Sequence, residues 1–416
     1  MNAIVMDATM TSNRGLRKLA IVQQRASMGG WRYLARLIEG MHLVHSSLKI
    51  SLFVSSKDQK RPYTAGVLSR LRGLGVDIST APLLRFEDPN KIIGRIARAV
   101  RFPRLRRWIR VLNSFDAALF TWPFGIECPL LDCPTAFVPH DLNYSHFVGA
   151  FVDPPKSIRV RNALLEDWLR KSNPIVSTNF IATELAELFP GVPHTAKVIP
   201  ISSLGTDVTH AQQEERELLR SLGVPSNYVL CLNNISSHKN LGQVLGAFYY
   251  VQERYPGLSL VLGGEGTDRI RGCMRTPWYL DTLIPYKENV VSVGLCSDDA
   301  ICALIRGARL VINGSLYEAG NGSGLDAWSL GTPVAMSAIP AFLEQMEFLD
   351  VRAEVFHPRC CFEIANAMNR ILDAPEVASK NAAYSKESML RYTWSEVATQ
   401  YISHLNTLVA KKVNAW

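Results

Sequence analysis

Glu318 and Asp326 stand eight positions apart in YEAGNGSGLD, residues 317–326, with little but backbone between them. Before this loop runs a short apolar strand, RLVIN; after it comes a helix, GLDAWSLG, closed by Gly331 with Pro333 behind it. A glycine-rich turn into a helix N-terminus presents main-chain N–H groups and the positive end of the helix dipole, which suits a phosphate or diphosphate. Glycine lets the backbone approach such a ligand closely. Carboxylates flanking an anion site do not grip the anion; they accept hydrogen bonds from hydroxyl groups. The pattern describes a ligand with a diphosphate centre and hydroxyl-bearing groups at both ends, as in a nucleotide-sugar. The same residues also read as a solvated acid and a first-turn charge in an ordinary strand-to-helix connection. Neither GxGxxG nor GxxxxGK[ST] occurs at the glycine-rich turns, which argues against dinucleotide and P-loop readings.

The elements that must position this loop follow one grammar, given twice: apolar strand, polar or glycine-rich turn, amphipathic helix. In the first half KLAIVQQ and KISLFVSS read as strands and RASMGG as a turn. WRYLARLIEGMHLV reads as a helix, with Trp31, Leu34, Leu37, Ile38 and Met41 on one face. In the second half YVLCLNN, LSLVLGGEG, NVVSVG, RLVIN and PVAMS read as strands. The helix KNLGQVLGAFYYVQERYP stops at Pro256, and SDDAICALIRGA starts behind Ser297 as N-cap. Alternation of this kind predicts an α/β protein with two doubly wound parallel sheets, the changeover falling near residues 197–208.

The 416 residues suit two or three domains. The start of the chain lacks an apolar signal region and no apolar run reaches about 18 residues, so a cytoplasmic protein without a spanning helix is expected. The eight cysteines show no zinc spacing and read as reduced thiols. His42, His45, His146, His194, His210, His357 and His404 show no ligand spacing either and read as structural. The net charge is +8, and residues 91–110, KIIGRIARAVRFPRLRRWIR, carry eight basic residues and no acid. In helical projection Ile92, Ile93, Ile96, Ala99 and Val100 share a face. Beyond Pro103, Leu105, Trp108, Ile109 and Leu112 form a second stripe among Arg104, Arg106, Arg107 and Arg110. A basic amphipathic helix with an aromatic suits the face of an anionic membrane; the alternative packs the stripes on the first sheet and leaves the arginines solvated. No RNP, helix-turn-helix or zinc motif accompanies the charge, so nucleic acid is not an expected partner.

The E-x7-D loop followed by GTPVAMSAIPAF resembles the retaining GT-B glycosyltransferases of family GT4 (glycosyl transferases group 1), whose signature is an E-x7-E loop, an alanine-rich helix and a G-T/V-P-V strand. SSHKNLGQVLGAFYYVQERYPGLSLVLGGEG and VVSVGLCSDDAICALIRGARLVINGSLYEAG are similar to the family's donor half. SMGGWRY, FVPHDL, TNFIATEL and RYTWSEVATQYISHL match more loosely, and the likeness spans roughly residues 18–410. It implies two Rossmann-like domains facing a cleft: residues 1–203 for the acceptor, with 390–416 crossing back as a helix, and 204–389 for the nucleotide-sugar. By position, Glu318 would contact the donor sugar, Asp326 the ribose and Lys239 the diphosphate. The backbone of Asn321, Gly322 and Ser323 would cradle the phosphates, with Asn234, Gly294 and Leu295 also on the donor side. Gly29 and Gly30 would admit the phosphate or acceptor, and His140 would lie beside the donor sugar in contact rather than as a base.

Three departures accompany the likeness. Asp326 is one methylene shorter than the usual glutamate. Asn234 replaces the phosphate-binding arginine five residues before the lysine, a role His238, Arg269 or Arg271 would have to fill. The GNGS insert replaces aromatic and proline positions. The likeness implies a hexosyltransferase, a mannosyltransferase among the options, that uses a donor such as GDP-mannose or UDP-glucose. It would work without a metal or other cofactor and retain the anomeric configuration. A saccharide or polyprenol-linked acceptor in polysaccharide or glycolipid assembly, at the inner face of the plasma membrane, would suit the basic stretch. The alternatives are a nucleotide-sugar epimerase or hydrolase on the same fold, and a non-catalytic nucleotide-sugar-binding scaffold.

Overall fold

The computed structural model describes residues 15–24, 26–82, 103–147, 154–205, 212–269 and 289–413. The first sheet has seven parallel strands: β1 (Lys18–Gln23), β2 (Lys49–Val54), β3 (Asp77–Thr80), β4 (Ala117–Phe120), β5 (Thr135–Phe137), β6 (Asn173–Val176) and β7 (Lys197–Val198), ordered β3-β2-β1-β4-β5-β6-β7. The second has six: β8 (Tyr228–Leu232), β9 (Ser259–Gly263), β10 (Val290–Gly294), β11 (Leu310–Asn313), β12 (Val334–Ser337) and β13 (Glu354–Phe356), ordered β10-β9-β8-β11-β12-β13. The central strands are apolar over most of their length because helices cover both their faces. Leu19 and Ile21 enter one core while Ala20 and Val22 enter the opposite one.

Strand order reverses between β1 and β4 in the first sheet and between β8 and β11 in the second. In open parallel sheets the crevice for a ligand opens at such a reversal, beyond the carboxyl ends of the strands. Both crevices are braced by side chains. Thr121 Oγ1 donates to Gln23 Oε1 at 2.9 Å, and Asn233 Nδ2 donates to Asn313 Oδ1 at 3.3 Å.

The segment expected as the turn RASMGG differs. Met28 already begins the helix Met28–Val44, and Ser27 is its N-cap, accepting from the Gly30 N–H at 3.3 Å. Gly29 and Gly30 are therefore first-turn helical residues. The expected apolar face, Trp31 to Met41, is buried. Against it lies the helix Trp394–Val413, whose Val397, Ala398, Tyr401 and Leu405 belong to the core of the first sheet.

Residues 103–112 are helical. Trp108 and Leu112 are buried beside Phe53 and Phe120, so Trp108 is a core residue and no membrane anchor. Arg104, Arg106, Arg107 and Arg110 stay exposed. The first apolar stripe, within residues 91–101, lies outside the described residues, as does Arg271. No helix among the described residues is long and apolar enough to cross a membrane.

Candidate functional site

The two crevices face each other across a cavity of about 630 Å³. Its wall on the second sheet carries Asn233, Asn234, His238, Lys239, Glu318, Gly322 and Ser323; its wall on the first carries Gly29, Gly30, Tyr33, Trp122, His140, Asp141, Tyr144 and Arg161.

Lys239 closes a short 3-10 turn, Ser237–Lys239, and Asn240 then takes a left-handed conformation (φ +57°) before the helix Leu241–Arg254. The Asn240 side chain anchors that kink, donating from Nδ2 to the carbonyls of Gly314 at 2.9 Å and Pro358 at 2.7 Å. The lysine is thereby fixed to the loop that bears Glu318, and the two form an ion pair. Ser315 Oγ lies 2.9 Å from the same glutamate oxygen. Asn234 Oδ1 accepts from the Ser236 N–H at 3.0 Å, so this side chain shapes the lysine turn. His238 is partly buried beside Lys239; burial first, then that positive charge, lowers its pKa, and it adds no cation at neutral pH.

The loop enters its helix, Gly322–Leu330, through Asn321 as N-cap, with Oδ1 accepting from the Gly324 N–H at 2.9 Å. The expectation of an open amide at Asn321 requires correction. Its N–H donates to Gln345 Oε1 at 2.7 Å and the residue is fully buried, because the polar insert needs internal partners. Gly322 and Ser323 do line the cavity.

Asp326 lies outside the cavity wall. Its carboxylate is buried between the two halves of the molecule. One oxygen accepts from Arg32 at 2.9 Å, and the other accepts from Ser203 Oγ at 2.9 Å and the Gly205 N–H at 2.7 Å. Arg32 reaches Asp298 as well, at 3.0 Å. Burial disfavours the guanidinium charge, but the two aspartates more than offset it and raise its pKa. Gly294 and Leu295 also lie outside the wall. Gly294 accepts from the Gly264 N–H at 2.7 Å, and Leu295 points to solvent.

On the opposite wall the helix Met28–Val44 aims its first turn at the cavity. A Cβ on Gly30 would sit 2.8 Å from the Trp122 ring, so only glycine lets the helix end approach that closely. His140 is half-buried with φ +43° just beyond β5, and its Nε2–H donates to the Thr121 carbonyl at 2.7 Å. Its ring meets Tyr33 edge-on and tilts against Trp122, with centroids 5.1 and 4.8 Å away. Burial lowers its pKa to about 4, so the imidazole is neutral at pH 7 with Nδ1 as acceptor. Neighbouring Asp141 is half-buried too, and desolvation raises its pKa to about 6.

Sequence reasoning singled out Glu318, Lys239, Asn234, Gly322, Ser323, His140, Gly29 and Gly30, and the cavity brings them together. It missed Tyr33, Trp122, Asn233, Tyr144 and Arg161. Asn233 follows directly on β8 and Trp122 lies two residues past β4, positions that mark them. Tyr144 and Arg161 carry no such signal. Among the described residues no three His, Cys, Asp or Glu side chains gather as a metal site.

Residues 215–388 match the family model described as glycosyl transferases group 1. An uncharacterized glycosyltransferase of Methanocaldococcus jannaschii is 23% identical over 274 residues, 64% of this chain and 67% of that protein. Among solved structures, Anabaena HepE in complex with UDP and glucose superposes with a TM-score of 0.68 at 16% identity, covering 94% of this chain and all of that one. WaaG, a glycosyltransferase involved in lipopolysaccharide biosynthesis, gives 0.65 at 12% identity over 93% and 99% of the two chains. The sucrose-phosphate synthase of Thermosynechococcus elongatus gives 0.64 at 17% over 95% and 100%. At these identities the structural likeness speaks for the fold, the two-domain GT-B architecture.

Proposed function

We propose that the chain, whose residues 215–388 match the group 1 glycosyltransferase model, is a glycosyltransferase that moves a hexosyl group from a nucleotide-sugar to a hydroxyl of a saccharide or lipid-linked acceptor, with retention at the anomeric carbon. The carrying observation is the convergence, in one cleft, of Lys239, the first turn of Gly322–Leu330 and the first turn of Met28–Val44 beside Glu318. These groups suit a diphosphate whose negative charge grows as the glycosidic bond breaks. Without a ligand Lys239 rests on Glu318; a bound diphosphate would draw the ammonium to itself and free the carboxylate for sugar hydroxyls. The acceptor attacks on the face the nucleotide leaves, and the departing phosphate takes the acceptor proton. His140 serves as a neutral contact to the sugar, because its low pKa makes it a weak base. Asp326, engaged by Arg32, Ser203 and Gly205, joins the two halves of the protein, and a ribose would have to displace those partners to reach it. The exposed arginines of 103–112 leave a basic face for an anionic leaflet, with no help from Trp108.

Thermal unfolding with UDP, GDP, ADP, CDP and their common sugars tests the reading on wild type and Lys239→Ala. A nucleotide at 100 times its Kd stabilises by about 2.7 kcal/mol. One nucleotide should stabilise wild type and lose most of that effect in the variant. Turnover should fall about 10²–10³-fold once this stabiliser is gone. Stabilisation of both proteins alike would remove Lys239 from the site, and none in wild type would turn the reading toward a scaffold.

A further inference from the structure

We infer that the wall of the cleft opposite Lys239 holds a subsite for a carboxylate or phosphate group on the acceptor, with Arg161 as its cation and Asp141 as the partner of a neighbouring acceptor hydroxyl. The inference deepens the proposed transfer and rests on it, since it assigns the nucleotide to the other wall.

The cavity is asymmetric in charge. Among the described residues of its wall the permanent cations are Lys239 and Arg161. Lys239 belongs to the second sheet and sits on Glu318. Arg161 comes from the helix Pro154–Lys171, which belongs to the first half of the chain. Its guanidinium carbon lies 5.5 Å from the centre of the Tyr144 ring. That ring is itself fixed, because Tyr144 is buried and its hydroxyl donates to Asn162 Oδ1 at 2.9 Å. A guanidinium held against an aromatic face is pre-organised, and its fork matches carboxylate and phosphate in two parallel hydrogen bonds. Burial lowers the Arg161 pKa, while the fields of Tyr144 and Asp141 support the charge. An arriving anion would add to that support.

Asp141 stands between the two cations electrostatically. Its carboxyl is acted on by Glu318 and Lys239, and Arg161 in turn feels Asp141. Its Oδ1 accepts from the Asn143 N–H at 3.1 Å, which fixes the carboxyl at the wall. A ligand reaching this wall meets a hydroxyl acceptor in Asp141 and an anion receptor in Arg161, the pair that an acidic sugar or a phosphorylated acceptor would need. Phe124 and Gly125 line the cavity beside Arg161 and leave an apolar surface for the rest of the molecule.

The test uses the full chain and measures binding of glucose, glucuronate, glucose 6-phosphate and geranyl diphosphate by titration calorimetry, with and without saturating UDP. Wild type, Arg161→Gln and Arg161→Lys are compared. Wild type should bind at least one anionic probe about tenfold more tightly than glucose, since a charge-assisted pair contributes about 1.5–3 kcal/mol. Arg161→Gln should abolish that preference, Arg161→Lys should keep part of it, and UDP-induced thermal stabilisation should be the same in all three. The preferred probe tells a carboxylate from a sugar phosphate or a lipid-borne phosphate. Equal affinity of wild type for glucose and every anionic probe would overturn the inference. So would an anion preference that survives Arg161→Gln. Absence of stabilisation of wild type by every one of UDP, GDP, ADP and CDP, with the anion preference intact, would instead sink the donor reading and leave the subsite standing.

Discussion

His140 and Asp141 are adjacent, both half-buried in the cleft, and shifted in opposite senses. His140 has an ordinary value of 6.5 and a folded value of about 4. Between those values the unfolded chain binds more protons, so this residue lowers stability as pH falls from about 6.5 toward about 4. Asp141 rises from 3.8 to about 6, so the folded chain holds the extra proton in that window. Its contribution to stability is full below about 3.8 and is lost as pH rises through about 6. The two effects largely offset each other in wild type. Asp141→Asn leaves the histidine alone and should steepen the acid loss between pH 6.5 and 4 by up to ~3 kcal/mol. His140→Asn, an exchange suited to the positive φ, should reverse the slope, so that stability falls from pH 4 to 6. Thermal unfolding midpoints against pH check both; parallel curves for all three proteins would mean that neither group titrates as its burial dictates.

At the scale of elements, the contact between Met28–Val44 and Trp394–Val413 depends on Gly40. A Cβ there would lie 2.3 Å from the Trp394 carbonyl oxygen and 3.1 Å from the Ala398 Cβ. Gly40→Ala must push the last helix away, and overpacking of this kind costs about 1–3 kcal/mol. Gly66, in the helix Pro62–Gly73, has nothing within 4 Å of such an atom, so Gly66→Ala should stabilise by about 0.5–1 kcal/mol through lower unfolded-chain entropy. Opposite shifts in melting temperature check the pair, and a shared sign would refute the packing account. The same elements mark how far sequence reading reaches. Apolar period and N-cap chemistry point to β1, β2 and β8 to β12, the Ser297 cap and the Trp31–Met41 face, because each is decided within a few residues; the short, half-exposed β3, β7 and β13 give no such signal. Ser27 capping a helix that begins with Met-Gly-Gly was read as a turn, since glycines weaken local helix preference and the packing of Gly30 on Trp122 that compensates is remote in sequence. The sequence leaves Trp108 between a membrane face and the first sheet, because the residues it meets, Phe53 and Phe120, are close only in the fold.

Across the whole molecule, contacts that no local pattern announces hold the two halves around the cleft. Glu344, from the second half, accepts from the N–H groups of Asn179 at 2.5 Å and Phe180 at 2.9 Å, capping a helix of the first half. Tyr317 reaches from the loop before Glu318 into the first core, where its hydroxyl accepts from the Leu142 N–H at 3.1 Å and donates to Glu184. The deepest of these joints is Arg32 between Asp298 and Asp326, with Ser203 and Gly205 of the connecting segment closing on the same Asp326. Arg32 is separated from Asp326 by 294 positions, so the sequence displayed the arginine beside two glycines and the aspartate at its x7 spacing without showing that they meet. In this structure the second carboxylate serves as a joint between the halves. Removing the arginine leaves the buried Asp326 and the half-buried Asp298 without their shared cation, and breaking a buried pair in this way typically costs about 3–5 kcal/mol. Arg32→Met should therefore lower stability by that order and enlarge the radius of gyration as the halves part. Adding Asp326→Asn to it should recover part of the loss, since the uncompensated charge is then gone while Ser203 and Gly205 keep an acceptor. Unfolding free energies for the two single variants and the double, with small-angle scattering on each, give the coupling directly; an additive cycle with unchanged dimensions would show that this joint does not hold the cleft together.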